Sequence, residues 1–249
     1  MREKQHTLAG KVLIRTDFRR KNDPPDELGN RLNAAGATLL SLPLIDIRPL
    51  PFTSAHEAGT YDWLIFTSKN AVCSFFSKQQ PKNIQRIAAI GPWTAAALRS
   101  FGYPPFFTGS GISAVHFAKE LSSVIRTGEN ALLILGNLAP DTLLQALQKT
   151  NSVERVNVYQ TVMPQQMDPI LLQRVKKDRY DALLMSSPSA FRHLLQLLPA
   201  PAMPLRMISI GQTTTAAIRE QHLEPLITSA GTGLAGLAET TIHYFSRTN

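Results

Sequence analysis

Four places in this 249-residue chain set hydroxyl groups just behind a short apolar run. "TSKN" (Thr67 to Asn70) follows "WLIF", and "SSPS" (Ser186 to Ser189) follows "ALLM". Gly91 and Thr94 follow "IAAI", and Gly211, Thr213 and Thr214 follow "MISI". Each combination reads as a strand end, a turn and the start of a helix. The first N–H groups of a helix lack partners and carry the positive end of its dipole, so such a start is suited to an anion. Gly91 is expected to allow a sharp turn and Thr94 to cap the helix behind it, with Gly211, Thr213 and Thr214 repeating the arrangement. Plain capping also asks for Ser68, Ser187 and Thr94. For any one start both readings stand; four starts in two related stretches favour a binding surface.

The stretches are related because the chain repeats itself. "YDWLIFTSKNAV" (Tyr61 to Val72) matches "YDALLMSSPSAF" (Tyr180 to Phe191) at an offset of 119. Between Ile90 and Arg99, six of ten positions recur 120 residues later, where unrelated sequence would match at roughly one in fifteen. "FFTGSG" answers "LITSAG", and "KVLIR" (Lys11 to Arg15) answers "ALLIL" (Ala131 to Leu135). The reading is an internal duplication of two α/β units of about 120 residues. In each, runs such as "VLI", "WLIF" and "IAAI" alternate with helical patterns such as "ELGNRLNAAG", "NAVCSFFSKQ" and "AVHFAKELSSVI". Uninterrupted apolar strands joined by helices predict a doubly wound parallel sheet covered on both faces. Such sheets bind ligands beyond the carboxyl ends of their strands.

Other chemistry is poorly supported. Gly109, Gly111 and Ala114, and Gly231, Gly233 and Gly236, have the spacing of a dinucleotide fingerprint. The first lacks an acidic residue in the right place, and the second has no room for a βαβ unit. The six histidines show no paired ligand spacing and Cys73 is the single cysteine, so no metal, cofactor or disulfide is expected. No signal-peptide pattern or membrane span is read, and a cytoplasmic protein is expected. The net charge is +8, with lysines and arginines scattered instead of gathered with aromatics on one face. A small polyanion suits this better than nucleic acid. "RVKKDR" (Arg174 to Arg179) reads as a solvated helix face, and "FRRK" (Phe18 to Lys21) as a basic loop behind the first strand.

Taken in order, "AAGATLLSLPLIDIRPL", "YDWLIFTSKNAV", "IAAIGPWTAAALRSFG", "RVNVYQT", "YDALLMSSPSAF" and "ISIGQTTTAAI" resemble the uroporphyrinogen-III synthase family over nearly the whole chain. The resemblance implies two similar α/β domains, residues 1–42 with 163–249 and residues 48–158, joined by a two-stranded connector at about 43–48 and 157–162. Repetition alone would have cut the chain near residue 125. It implies an enzyme that closes hydroxymethylbilane into a ring with inversion of the last pyrrole and loss of water. The substrate's eight carboxylates suit the positive charge. Neither cofactor nor membrane is implied, and a monomer is expected. Tyr159 matches the family's connector tyrosine, a phenol that can donate a proton or a hydrogen bond; a packed hinge aromatic is the other reading. Ser68, Thr94, Ser187, Thr213 and Thr214 match positions lining the family's cleft. Lys69 can meet a carboxylate or be solvated. Arg15, in "RTDF", replaces an arginine that many relatives carry one position later. "GNLAPD" (Gly136 to Asp141) lacks the basic residue common there. A weakly active or inactive synthase-like polyanion binder is the alternative.

Overall fold

The computed structural model describes residues 7–19, 26–80, 86–198 and 204–248. Arg20 and Lys21 of the basic loop lie outside them. In chain order the elements begin with β1 (Val12–Arg15), α1 (Glu27–Ala34), β2 (Thr38–Ser41), β3 (Asp46–Pro49), β4 (Trp63–Phe66), α2 (Lys69–Phe76) and β5 (Arg86–Ala89). They continue with α3 (Pro92–Ser100), β6 (Phe107–Thr108), α4 (Ala114–Ser122), β7 (Asn130–Gly136), α5 (Thr142–Leu147), β8 (Ser152–Val162) and α6 (Pro169–Lys176). Last come β9 (Ala182–Met185), α7 (Pro188–Leu197), β10 (Met207–Ser209), α8 (Gln212–Arg219), β11 (Ile227–Thr228) and α9 (Gly233–Thr248).

Two compact units result. A split unit takes residues 1–46 and 162–249, and a continuous unit takes 47–161. The chain passes between them within β3 and β8, which are neighbours in one sheet. The split unit has strand order β11-β10-β9-β1-β2, all parallel. The continuous unit has β3-β8-β7-β4-β5-β6, parallel from β8 to β6. From β6 to β8 the second order matches the first element by element.

Burial on both faces explains the apolar runs. Successive side chains of a strand point to opposite faces. Trp63 and Ile65 of β4 join Phe117, Leu121 and Leu133 on one side of the sheet. Leu64 and Phe66 join Phe75, Phe76 and Leu98 on the other. In β9, Leu183 and Met185 meet Phe191 and Leu194, while Ala182 and Leu184 meet Leu13, Leu28 and Leu237. A polar residue anywhere in β4 or β9 would enter one of these cores. Truncating Phe66, which has no exposed surface, would cost about 3–5 kcal/mol.

Candidate active site

In the continuous unit β4 is followed by Thr67 and Ser68, and Ser68 caps α2 by accepting from the Ala71 N–H at 3.1 Å. The same hydroxyl lies 3.2 Å from the phenol oxygen of Tyr159. Two sheet neighbours bring this partner 91 residues along the chain. β7 and β8 run in register up to Leu135 opposite Asn157, and then the pairing jumps so that Gly136 faces Tyr159. The extra residue is Val158. A bulge of this kind redirects the side chains that follow it, and the Tyr159 ring comes to lie on the main chain of Gly136. A Cβ at Gly136 would sit 2.3 Å from the Tyr159 Cζ, so only glycine fits. Burial pushes the Tyr159 pKa up, and the bond with Ser68 offsets part of that rise. The phenol is therefore protonated at neutral pH and is a hydrogen-bond donor.

One strand over, β5 leads into α3. Thr94 does not cap this helix: Gly91 is the capping residue, no side chain caps it, and Thr94 is three residues inside. Gly91 is also not there for an unusual turn, since its φ of −168° is open to any residue. It is there for space, because a Cβ would approach the Gly111 Cα at 2.8 Å. α8 begins the same way at Gly211, again extended and without a side-chain cap. Thr94 and Thr214 are both buried as residues, at 4% and 2% exposure. Neither hydroxyl has a hydrogen-bond partner among the described residues, yet no enclosed side-chain oxygen there lacks one. Thr213 is exposed.

The split unit treats its other helix start differently. Ser187 caps α7 through the Ala190 N–H at 3.1 Å, as Ser68 caps α2. Beside it Thr16, not an aromatic residue, closes the edge. Its hydroxyl donates to the Leu184 carbonyl at 2.8 Å, lies 3.4 Å from the Ser186 hydroxyl, and accepts from the Ser186 N–H at 3.3 Å.

A family model for uroporphyrinogen-III synthase HemD matches residues 26–239. The chain belongs to the uroporphyrinogen-III synthase family. It is 26% identical over 212 residues to a uroporphyrinogen-III synthase of Synechococcus elongatus, covering 78% of this chain and 77% of that protein. It is 22% identical over 243 residues to the porphyrin biosynthesis protein HemD of Ruminiclostridium josui, covering 92% of this chain. It spans only 47%, about half, of that relative's length. Two solved structures share the fold. The Helicobacter pylori uroporphyrinogen-III synthetase has a TM-score of 0.67 at 16% identity, covering 94% of this chain and 99% of its own. A mutant uroporphyrinogen III synthase of Thermus thermophilus has 0.60 at 18% identity, covering 96% and 100%.

Among the residues that the synthase resemblance singles out, Arg15 is placed unlike the expectation. Its side chain is 4% exposed and held by two carboxylates of its own unit. Nε and Nη2 donate to Asp17 at 2.7 and 2.6 Å, and Nη1 and Nη2 to Asp26 at 3.0 and 2.5 Å. Asp26 also caps α1 through the Gly29 N–H. Burial would raise the Asp26 pKa, but the bonds from Arg15 and Gly29 overcome it and hold the carboxyl at about 2. Arg15 thus ties the end of β1 to the start of α1. Arg19 pairs with the same Asp26 at 2.9 Å. Lys69 is exposed.

The "GNLAPD" loop does acquire a cation, which the local sequence does not disclose. Arg155 reaches over from β8 to pair with Asp141 and to donate to the Gly136 carbonyl at 3.4 Å. The fingerprint-like glycines have packing roles. A Cβ at Gly109 would meet Glu120 and Phe117 at 2.6 Å, and one at Gly231 would meet the Gly236 Cα at 2.7 Å. Among the described residues no group of three metal-ligating side chains comes together, and no helix is long and apolar enough to cross a membrane.

Proposed function

We propose that this chain closes hydroxymethylbilane to uroporphyrinogen III, with Tyr159 as the hydrogen-bond donor to the departing hydroxyl. The observation that carries the reading is the protonated phenol seated on Gly136 and paired with Ser68 at the carboxyl edge of a parallel sheet. The terminal hydroxymethyl C–O bond breaks and the hydroxyl leaves as water, which needs a proton. The resulting azafulvene is attacked by the substituted carbon of the last pyrrole, forming a spiro intermediate. That intermediate reopens and closes with the ring inverted. The proton lost from the terminal pyrrole carbon in the final step balances the one taken by the leaving water.

A raised pKa makes Tyr159 a weak acid. Its part is to stabilise developing charge on the leaving oxygen, a term worth about 10²–10⁴-fold when a full proton transfer is involved and less otherwise. Carboxylates of the substrate are received by the helix starts at Ser68, Gly91 and Thr94 in one unit and at Ser187, Gly211, Thr213 and Thr214 in the other. Lys69 adds an exposed charge. The protein acts as a monomer, without cofactor, and has no role in nucleic-acid binding.

The test is the isomer ratio. Freshly made hydroxymethylbilane closes by itself to the uninverted isomer, so total porphyrin says little. A twentyfold preference for the inverted isomer requires a barrier difference of about 1.8 kcal/mol, within reach of two hydrogen bonds to charged groups. The type III isomer in large excess, formed faster than background, is expected. Dominance of type I with protein in excess over substrate would replace the synthase reading by a polyanion-binding one.

A further inference from the structure

The chain has two tryptophans, and the fold treats them oppositely. Trp63 is fully buried, with its Nε1 donating to Glu129 at 2.8 Å. Trp93, the second residue of α3, is 64% exposed. Its indole has neither a ring contact nor a hydrogen-bond partner among the described residues. It is also not alone: Gly111 is pressed against Gly91, which brings the following Ile112 and Val115 to the same carboxyl edge, 70% and 55% exposed. Three large apolar side chains left in water on the two segments that this contact joins are a cost that packing does not explain.

The fold does not require them either. At the 120-residue offset, Trp93, Ile112 and Val115 correspond to Thr213, Thr232 and Ala235. The same strand-turn-helix start is built there with small or polar groups. The next residue of α3 is Thr94, whose hydroxyl has no partner among the described residues. It lies on the helix one strand from the Ser68 cap, and neighbouring strands are about 4.8 Å apart. An exposed aromatic face at the start of a helix, where main-chain N–H groups are unpaired, fits a flat, electron-rich ring that carries acidic side chains.

We infer that Trp93 is the platform on which one pyrrole ring of the tetrapyrrole stacks, with a carboxylate of that ring taken at the uncapped start of α3. The inference rests on the proposed function and adds to it a positioning residue for the substrate ring. An offset stack of this kind prefers ring centroids about 4.5–7 Å apart. It makes the continuous unit responsible for ring placement, and it gives Trp93 a use that Thr213 does not have in the split unit.

Trp93→Thr copies the other unit's residue, and Trp93→Phe keeps an aromatic face. Wild type and both variants are compared in two measurements: KM and kcat with hydroxymethylbilane, and equilibrium binding of uroporphyrin III followed by quenching of tryptophan emission and by porphyrin absorbance. For Trp93→Thr, KM is expected to rise and uroporphyrin III binding to weaken by about tenfold, the worth of one aromatic contact. kcat should stay within about threefold, and the type I share of product should grow. Trp93→Phe should recover most of the loss. Unchanged binding and KM in Trp93→Thr would overturn the inference while leaving the synthase reading intact. Wild type yielding mainly type I would overturn the synthase reading, and the porphyrin-binding comparison would still decide whether Trp93 is a stacking platform.

Discussion

The two units share a strand order and nearly the same turns, yet they finish their carboxyl edges in opposite ways. Where the continuous unit sets Tyr159 against Ser68, the split unit sets Thr16 against Ser186 and a main-chain carbonyl. In the first a phenol is left with one hydroxyl neighbour. In the second the hydroxyls satisfy each other and the backbone. Arg15, at the end of the split unit's β1, is consumed by Asp17 and Asp26, while Leu135, its counterpart at the end of β7, is an apolar core residue. A repeated fold therefore reserves the same places twice without assigning the same use to them. What occupies a place, and whether a neighbour has already engaged it, decides whether it is available for chemistry.

Arg15→Leu should produce the largest effect and should be confined to stability. Breaking a buried ion pair from one side costs about 3–5 kcal/mol: Asp17 would lose the guanidinium, and Asp26 would keep only Arg19 and the Gly29 N–H. Turnover per folded molecule should be unchanged, as read by denaturant unfolding alongside initial rates. The pH dependence has a definite sign. Asp26 has its pKa lowered from 3.8 to about 2, so its contribution is present above about pH 4 and is lost as pH falls through 2. In Arg15→Leu the acid-unfolding limb should move to higher pH. A variant of normal stability that binds substrate poorly would return Arg15 to the binding surface and weaken the contrast between the units.

Tyr159→Phe comes next. Removing the hydroxyl should slow type III formation by roughly 10- to 1,000-fold and leave the melting temperature nearly unmoved. Gly136→Ala should imitate it by pushing the ring off its seat. In the split unit Thr16→Val should slow catalysis far less. Equal losses at Tyr159 and Thr16 would mean that the edges are functionally alike. A large fall in melting temperature with full turnover for Tyr159→Phe would make Tyr159 a packing residue of the hinge.

A smaller effect is expected from the paired threonines. Thr94→Ala and Thr214→Ala each remove a hydroxyl that can bond a carboxylate, at about 1.5–3 kcal/mol when the partner is charged. KM should rise by roughly tenfold or somewhat more in each, and the double variant should lose about the product. If only one variant has an effect, one unit alone receives carboxylates. Ser68→Ala should be the mildest. It removes the bond that offsets part of the rise in the Tyr159 pKa, so the alkaline limb of the rate profile should move further up, and α2 should lose about 1 kcal/mol of capping. An alkaline limb that stays where it is would separate Ser68 from Tyr159.

Much of the architecture is legible from the chain because it is local. Apolar runs of four residues must be strands buried on both faces, and the serine behind two of them must cap a helix, since each follows from neighbours within a few positions. Ser68 and Ser187 stand where their spacing predicts. The glycines are harder to read. Turn geometry predicts a glycine at position 91, but the extended φ of Gly91 shows that it is needed for the close approach of Gly111, a residue two elements away. Gly136 carries no signal of its own, because its reason to be glycine is a tyrosine ring on the next strand.

By itself the sequence determined the class of fold, the repeat of the strand-turn-helix unit, the hydroxyls at the helix starts and, through its ordered motifs, the family. Those depend on periodicity and on groups adjacent along the chain. Only the tertiary structure decided that Tyr159 reaches Ser68, that Arg15 is already paired, that Arg155 supplies the cation missing from the "GNLAPD" loop, and that Trp93 is left in water while Trp63 is buried. Each of these turns on sheet register and on distances between residues up to 91 positions apart, and no local pattern states whether a charged or aromatic side chain will find its partner inside the protein or remain free for a ligand.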